Sequence, residues 1–275
     1  MNMRLEIGGR NYFVVLETPY DISIPLKFNE AQPNTYNIPI ATAKAVETDG
    51  LVGDTRRGGS CNFEAIQLIP HCNGTHTECV GHISLERISI YDTLSHSLCP
   101  TVVITVQPVN GEDCGDTYTP PLEKTDWVIT RKSLAQLEEI NRTTPEWLEA
   151  IVIRTLPNDI SKRTRQYEQR PPPFFSKEAI EFLSELPVLH LLVDFPSLDR
   201  TYDEGKLFVH HRFWNVEQGS RDVDTKLHSL RTVTEFVFIE NYIPDGKYFL
   251  NLQVAPFHSD AAPSRPVLYK IKEVN

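Results

Sequence analysis

The segment SKEAIEFLSELPVLHLLV, residues 176–193, sets a helix directly against a strand. Ser176 is a strong N-cap residue because its hydroxyl accepts a first-turn backbone N–H, and Glu178 places negative charge near the positive end of the helix dipole. A helix over 177–186 therefore runs into the apolar stretch Val188–Val193, which reads as a buried strand, and this α-to-β unit decides an α/β class. Working outward, Ala150–Thr155 (AIVIRT), Val102–Val106 and Trp127–Thr130 read as further buried strands. Thr232–Ile239 and Tyr248–Val254 follow on the C-terminal side. At the start, Arg4–Glu6 and Tyr12–Leu16 are β-prone runs separated by Gly8-Gly9, the signal of a hairpin. A second helix is expected over 133–140, where Leu134, Leu137 and Ile140 share one face. Nothing marks a boundary between two cores, so residues 1–275 are read as a single strand-rich domain.

Two stretches break the pattern. Residues 157–175 are polar and basic before ending in Pro171-Pro172-Pro173-Phe174-Phe175, either an exposed loop with a stiff exit or a flap that carries aromatics to a site. Residues 215–230 read as a charged surface insertion. The chain has 27 basic and 37 acidic side chains and a net charge of −10, so it lacks the basic footprint of a nucleic-acid or anionic-membrane binder. No apolar run reaches the length that spans a bilayer, and five cysteines without a tight framework favour reduced thiols in a cytoplasm.

The chemistry concentrates in PHCNGTHTECVGH, residues 70–82. His71, Cys72, His76, Glu78, Cys79 and His82 are all side chains that bind transition metals. In an extended chain alternate residues share a face, so His76 and Glu78 point the same way. Cys72 and His82 have the same parity but would lie ~33 Å apart in a straight strand, and Gly74 and Gly81 supply the places to bend. The spacing lacks the paired elements of a structural zinc finger, which favours an open, catalytic site. Ser60 stands outside any G-x-S-x-G elbow, and no P-loop, dinucleotide fingerprint or C-x-x-C occurs.

Residues 74–82 resemble the H-x-G-T-H-x-D-x-P-x-H signature of the cyclase family of metal-dependent hydrolases, which includes bacterial kynurenine formamidases. Asp21–Leu26, Ile151–Thr155, Val193–Asp199, Glu235–Leu252 with Pro244-Asp245-Gly246, and Ala262–Pro266 are similar to the family's other conserved segments in the same order. The resemblance implies an α/β fold of the swivelling β/β/α type. It also implies a centre with one or two divalent ions, Zn2+ or Mn2+, that activates water against a small linear or cyclic amide such as N-formylkynurenine. Carried over by position, Cys72, His76, Glu78, His211 and Glu235 are the implied metal ligands. His82 is the acid/base histidine, and Glu235 completes the catalytic set. His71, His210 and His228 remain open as replacements for a listed ligand. The implied partner is a small-molecule amide, with no nucleic acid and no membrane, and a homo-oligomer is compatible with the family.

Departures from the family pattern have chemical content. Cys72 replaces a histidine with a softer ligand that favours zinc. Glu78 is one methylene longer than the family's bridging aspartate, and Val80 stands where the family has proline. Glu240-Asn241 mimics the late E-N pair, but Glu235 keeps Pro244-Asp245-Gly246 in register. Phe174, Phe175, Phe213 and Trp214 are the candidates to hold an aromatic substrate ring.

Overall fold

The computed structural model describes residues 2–274. Among them a sheet of ten strands runs through the molecule: β1 (Asn2–Ile7), β2 (Arg10–Asp21), β3 (His76–Glu78), β4 (Leu98–Val106), β5 (Ala150–Thr155), β6 (His190–Val193), β7 (Thr232–Glu235), β8 (Gly246–Asn251), β9 (Ala261–Pro263) and β10 (Val267–Val274), in the spatial order β1-β2-β10-β8-β4-β5-β6-β7-β3-β9. The middle strands β4, β5, β6 and β7 are parallel and the flanking ones antiparallel. This is the mixed α/β architecture expected from the helix-to-strand unit.

Parallel strands are covered on both faces, which is why β5 and β6 carry near-continuous apolar runs. In β5, Ile151 and Ile153 enter one core while Ala150 and Val152 enter a second on the other face. Leu191 and Val193 of β6 join the first core, and Leu192 the second. Helix α1 (Pro70–Asn73) is a single turn; α2 (Gln136–Thr143) and α3 (Lys177–Glu185) are the two helices legible in the sequence, and α4 (Phe208–Phe213) follows β6. Ser176 caps α3 as expected, its Oγ accepting from the Ala179 N–H at 3.0 Å. Gly8 and Gly9 both adopt positive φ in the β1–β2 hairpin, a turn that side-chain-bearing residues resist.

Three expectations shift in detail. The strand expected over 232–239 stops at Glu235, because Phe236 is left-handed with φ of 55° and turns the chain away. The segment 157–175 ends in a short strand, Phe174–Phe175, paired parallel to Trp127–Ile129 and buried in the core. No helix or strand lies between Phe213 and Thr232, in keeping with a surface insertion. Among the described residues no helix is long and apolar enough to cross a membrane, and all five cysteines are free.

Candidate metal centre

The centre forms where β3 slots between β7 and β9. Antiparallel register sets His76 opposite Glu235 and Glu78 opposite Val233, so the two-residue period that puts His76 and Glu78 on one face also aims Glu235 at them. Thr77 points the other way and meets Thr234, Oγ1 to Oγ1, at 2.8 Å. Upstream, α1 delivers His71, its turn held by Asn73 Oδ1, which accepts from the Ile69 N–H at 2.8 Å. Downstream, a tight turn over Val80–His82 returns His82 to the site. That turn requires Gly81, since a Cβ there would stand 2.0 Å from the Ile88 carbonyl oxygen.

Two groups of donors result, and Glu78 belongs to both. His76, Glu78 and Glu235 each offer a ligand atom within 4.8 Å of the others, and so do His71, Glu78 and His82. His76 Nε2 lies 3.3 Å from Glu235 Oε2; Glu78 Oε2 lies 3.4 Å from His71 Nε2 and 3.8 Å from His82 Nδ1. Asp260, just before β9, joins from the side, with Oδ2 2.9 Å from His71 Nε2 and 3.4 Å from His82 Nδ1. His210 of α4 reaches Glu78 Oε1 with Nε2 at 3.2 Å. His76, Glu78, Glu235 and His210 are buried, whereas the His71, His82 and Asp260 side chains are 25–31% exposed. The centre therefore has a closed floor and one open side.

The floor bears the marks of a cation site. His76 Nδ1 donates to the Gly74 carbonyl at 2.9 Å, which fixes the tautomer and leaves the Nε2 lone pair free. That Nε2 and Glu235 Oε1 are buried with no hydrogen-bond partner, an expensive arrangement unless an ion completes it. His210 Nδ1 donates to Asp199 Oδ2 at 2.6 Å, and Asp199 also accepts from the Val209 and His210 N–H groups and the Tyr118 hydroxyl. Burial pushes the Glu235 carboxyl well above its usual value, with the neighbouring Glu78 charge adding to it. Burial also acts against Glu78, but the surrounding His82, His210 and His71 rings hold its carboxyl low. His210 is likewise opposed by burial, yet its bonds to Asp199 and Glu78 raise it above the ordinary histidine range. In a protein lacking the ion, one of two adjacent carboxyls keeps its proton.

The positions expected from the sequence divide as follows. His76, Glu78, His82 and Glu235 come together. Cys72 is buried beside them, its thiol pushed up to about 11 by burial and by the Glu235 and Glu78 charges, but it joins neither donor group; its neighbour His71 faces the carboxylates instead. His210, rather than His211, reaches Glu78, and His211 lines a separate cavity of about 550 Å3 with Lys177 and Arg212. His228 bonds the Thr225 carbonyl within its own loop at 3.1 Å, and Glu240 pairs with Arg163 at 2.7 Å. Phe174, Phe175 and Phe213 are buried in the core, while Trp214 packs with its ring 5.2 Å from that of His210. Asp260 had no signal in the sequence beyond lying next to Ala262–Pro266. Asp199 was visible only as part of a turn motif. Tyr36 was also missed; partial burial and then the Glu235 and Cys72 charges push its hydroxyl upward, while the residue as a whole stays 44% exposed and its ring meets that of Tyr202 at 6.2 Å.

Residues 20–200 match the family model Cyclase, described as "Putative cyclase". No curated protein matches the sequence. A structure described as a potential metal-dependent hydrolase with cyclase activity is similar at a TM-score of 0.58 and 17% identity, over 92% of this chain and 97% of its own. An isatin hydrolase bound to the product analogue thioisatinate is similar at 0.59 and 16% identity, over 92% of each chain. A predicted metal-dependent hydrolase from Bacillus stearothermophilus gives 0.55 and 16% identity, over 92% of this chain and 98% of its own. At such identities the likeness is one of fold.

Proposed function

The chain belongs to the Cyclase family, and from that premise and the geometry of the centre we propose that it is a metal-dependent hydrolase of small amides. The observation that carries this reading is the buried His76 Nε2, unpartnered, tautomer-fixed and 3.3 Å from Glu235. His76, Glu78 and Glu235 would hold the ion. A divalent ion there supplies a Lewis acid for the amide carbonyl and a more acidic water. Imidazole with carboxylates suits zinc and also manganese, and with Cys72 outside the donor groups no sulfur ligand favours zinc there.

The remaining roles belong to the chain's own side chains. His210, oriented by Asp199, holds Glu78 Oε1 and leaves Oε2 toward the open side. His82 stands at that side with Nδ1 turned toward Glu78 and Asp260, in place to take a proton from the attacking water and return it to the leaving amine. An N-formyl arylamine such as N-formylkynurenine fits this division, since its carbonyl is unhindered and its amine leaves readily. Tyr36 and Tyr202, exposed and ring to ring, supply the aromatic contacts that the buried phenylalanines do not. Isatin, named for one structural neighbour, is a cyclic aryl amide and belongs in the same assay.

The experiment is elemental analysis of protein purified without chelator, followed by turnover of N-formylkynurenine and isatin on the same sample, for wild type and His82→Gln. We expect bound divalent metal, turnover of an aryl amide, and a His82→Gln variant that keeps its metal while losing turnover. Loss of metal in that variant would move His82 into a second ion site with His71 and Glu78. Absence of metal after reconstitution would overturn the reading, and metal without turnover of any amide would leave a non-catalytic binding protein.

A further inference from the structure

At the other end of the parallel strands, remote from Glu235, three more metal-ligating side chains converge. Cys99 is the second residue of β4, Glu149 immediately precedes β5, and His190 is the first residue of β6. One ligand atom from each lies within 4.8 Å of the others. Cys99 and His190 are buried, while the Glu149 side chain is 30% exposed at the strand ends. His190 engages Thr232 Oγ1 through Nδ1 at 2.8 Å, and its Nε2 is buried with no hydrogen-bond partner. A thiol, a carboxylate and an imidazole whose second ring nitrogen is left over after the Thr232 bond form a donor set. Around it the core is apolar, with Val103, Val152 and Leu192. On the solvent side His96, its side chain 59% exposed, brings Nε2 to 3.7 Å from Glu149 Oε1.

We propose that Cys99, Glu149 and His190 form a second metal site, which takes a zinc ion with His96 as the fourth, solvent-side ligand. Sulfur, two ring nitrogens and one carboxylate oxygen are a zinc donor set, and four protein ligands make a closed, structural site rather than a catalytic one. Binding removes the Cys99 thiol proton to solvent and joins the sulfur to the ion; no redox change is involved. Burial holds the Cys99 thiol up and His190 down to about 4, so without metal both are neutral at neutral pH, and His190 needs no deprotonation to bind. The ion would tie together the entry ends of β4, β5 and β6, three strands whose other ends lead toward the hydrolytic centre.

The test uses the full-length protein, stripped with a chelator and titrated with Co2+ in place of zinc. A thiolate ligand gives a sulfur-to-cobalt charge-transfer band in the near ultraviolet. We expect that band in wild type, its loss in Cys99→Ser, and its persistence in Cys72→Ser, which separates this site from the hydrolytic centre. In Glu149→Gln, at the partly exposed edge, we expect zinc content to fall by one per chain with amide turnover unchanged. X-ray absorption on the zinc-loaded wild type, which needs no variant to fold, should show a sulfur neighbour at ~2.3 Å that Cys72→Ser retains. No band in wild type, a band that survives Cys99→Ser, no sulfur neighbour, or unchanged zinc in Glu149→Gln would each overturn the proposal.

Discussion

His76 and Glu235 face each other across an antiparallel strand pair, Nε2 to Oε2 at 3.3 Å, and both are buried beside the second carboxylate, Glu78. Without an ion, burial and the Glu78 charge raise the Glu235 carboxyl, so the folded protein keeps a proton there that the unfolded chain releases above about 4.5. The metal-free protein should therefore lose stability as pH rises from about 4.5 through the raised folded-state value. The opposite contribution of Glu78, whose carboxyl is held low, falls in a separate window below about 4.5. Glu235→Gln should flatten the upper slope in melting curves of chelated protein, and should weaken metal binding by on the order of tenfold or more. Parallel melting profiles for variant and wild type would refute the first expectation; unchanged metal content would remove Glu235 from the ligands.

Asp199 governs His210 through one short bond to Nδ1 and two to backbone N–H groups. Asp199→Asn keeps the size but loses the charge that fixes the imidazole. Turnover should fall about 10–100-fold, in kcat more than KM. Tyr118→Phe, which removes the hydroxyl bond to the same carboxylate and the one accepted from the Arg200 N–H, serves as the comparison: stability should drop by about 1–3 kcal/mol with turnover nearly kept. Equal loss of turnover in both would show that Asp199 acts through the fold and not through His210.

Gly81 and Gly74 bracket the histidine strand with different demands. A Cβ at Gly81 would collide with the Ile88 carbonyl, whereas at Gly74 it meets only Leu26 carbons at 3.7 Å or more. Gly81→Ala should cost about 1–3 kcal/mol of stability and most of the activity, and Gly74→Ala close to nothing. Thermal melts of the pair decide this, and a tolerated Gly81→Ala would mean that the turn has room to relax.

Tyr36→Ala should raise KM for an aryl amide by up to about tenfold while changing kcat less, since one aromatic pair is worth on the order of 0.5–1.5 kcal/mol. A formamide without a ring should show no such change. If both substrates lose equally, Tyr36 shapes the centre itself and does not bind the ring.

Much of the frame was legible because apolar strands and a well-capped helix are local signals. Residues 102–106, 150–155 and 248–251 fall within strands, and Lys177–Glu185 is a helix. The order of quoted motifs also has a physical basis: Arg154 of the AIVIRT strand meets Asp245 of Pro244-Asp245-Gly246 at 2.7 Å, far apart in sequence and adjacent in space. Strand β10 carries a weak local signal because its outward lysines and glutamate dilute the apolar alternation. Within the centre, alternation along one short strand puts His76 and Glu78 on the same face, as their parity implies. It does not reach Cys72, because residues 70–73 coil into a helical turn where parity has no meaning and His71 takes the inward direction. In the same way, α4 rather than residue spacing decides between His210 and His211. Asp260 arrives only through the pairing of β9 with β3, a long-range contact with no local signature.

Phe236, in a backbone conformation bulky residues avoid, directly follows Glu235, and its carbonyl accepts the Thr75 hydroxyl at 2.5 Å. Thr75 directly precedes His76 and also accepts from the Ile24 N–H at 2.8 Å. A single hydroxyl thus latches the two strands that carry the facing imidazole and carboxylate, and fastens both to a segment near the chain's start. Residues 75 and 236 are thereby tied to each other and to residue 24, and the side of the centre left open to solvent is that of His71 and His82.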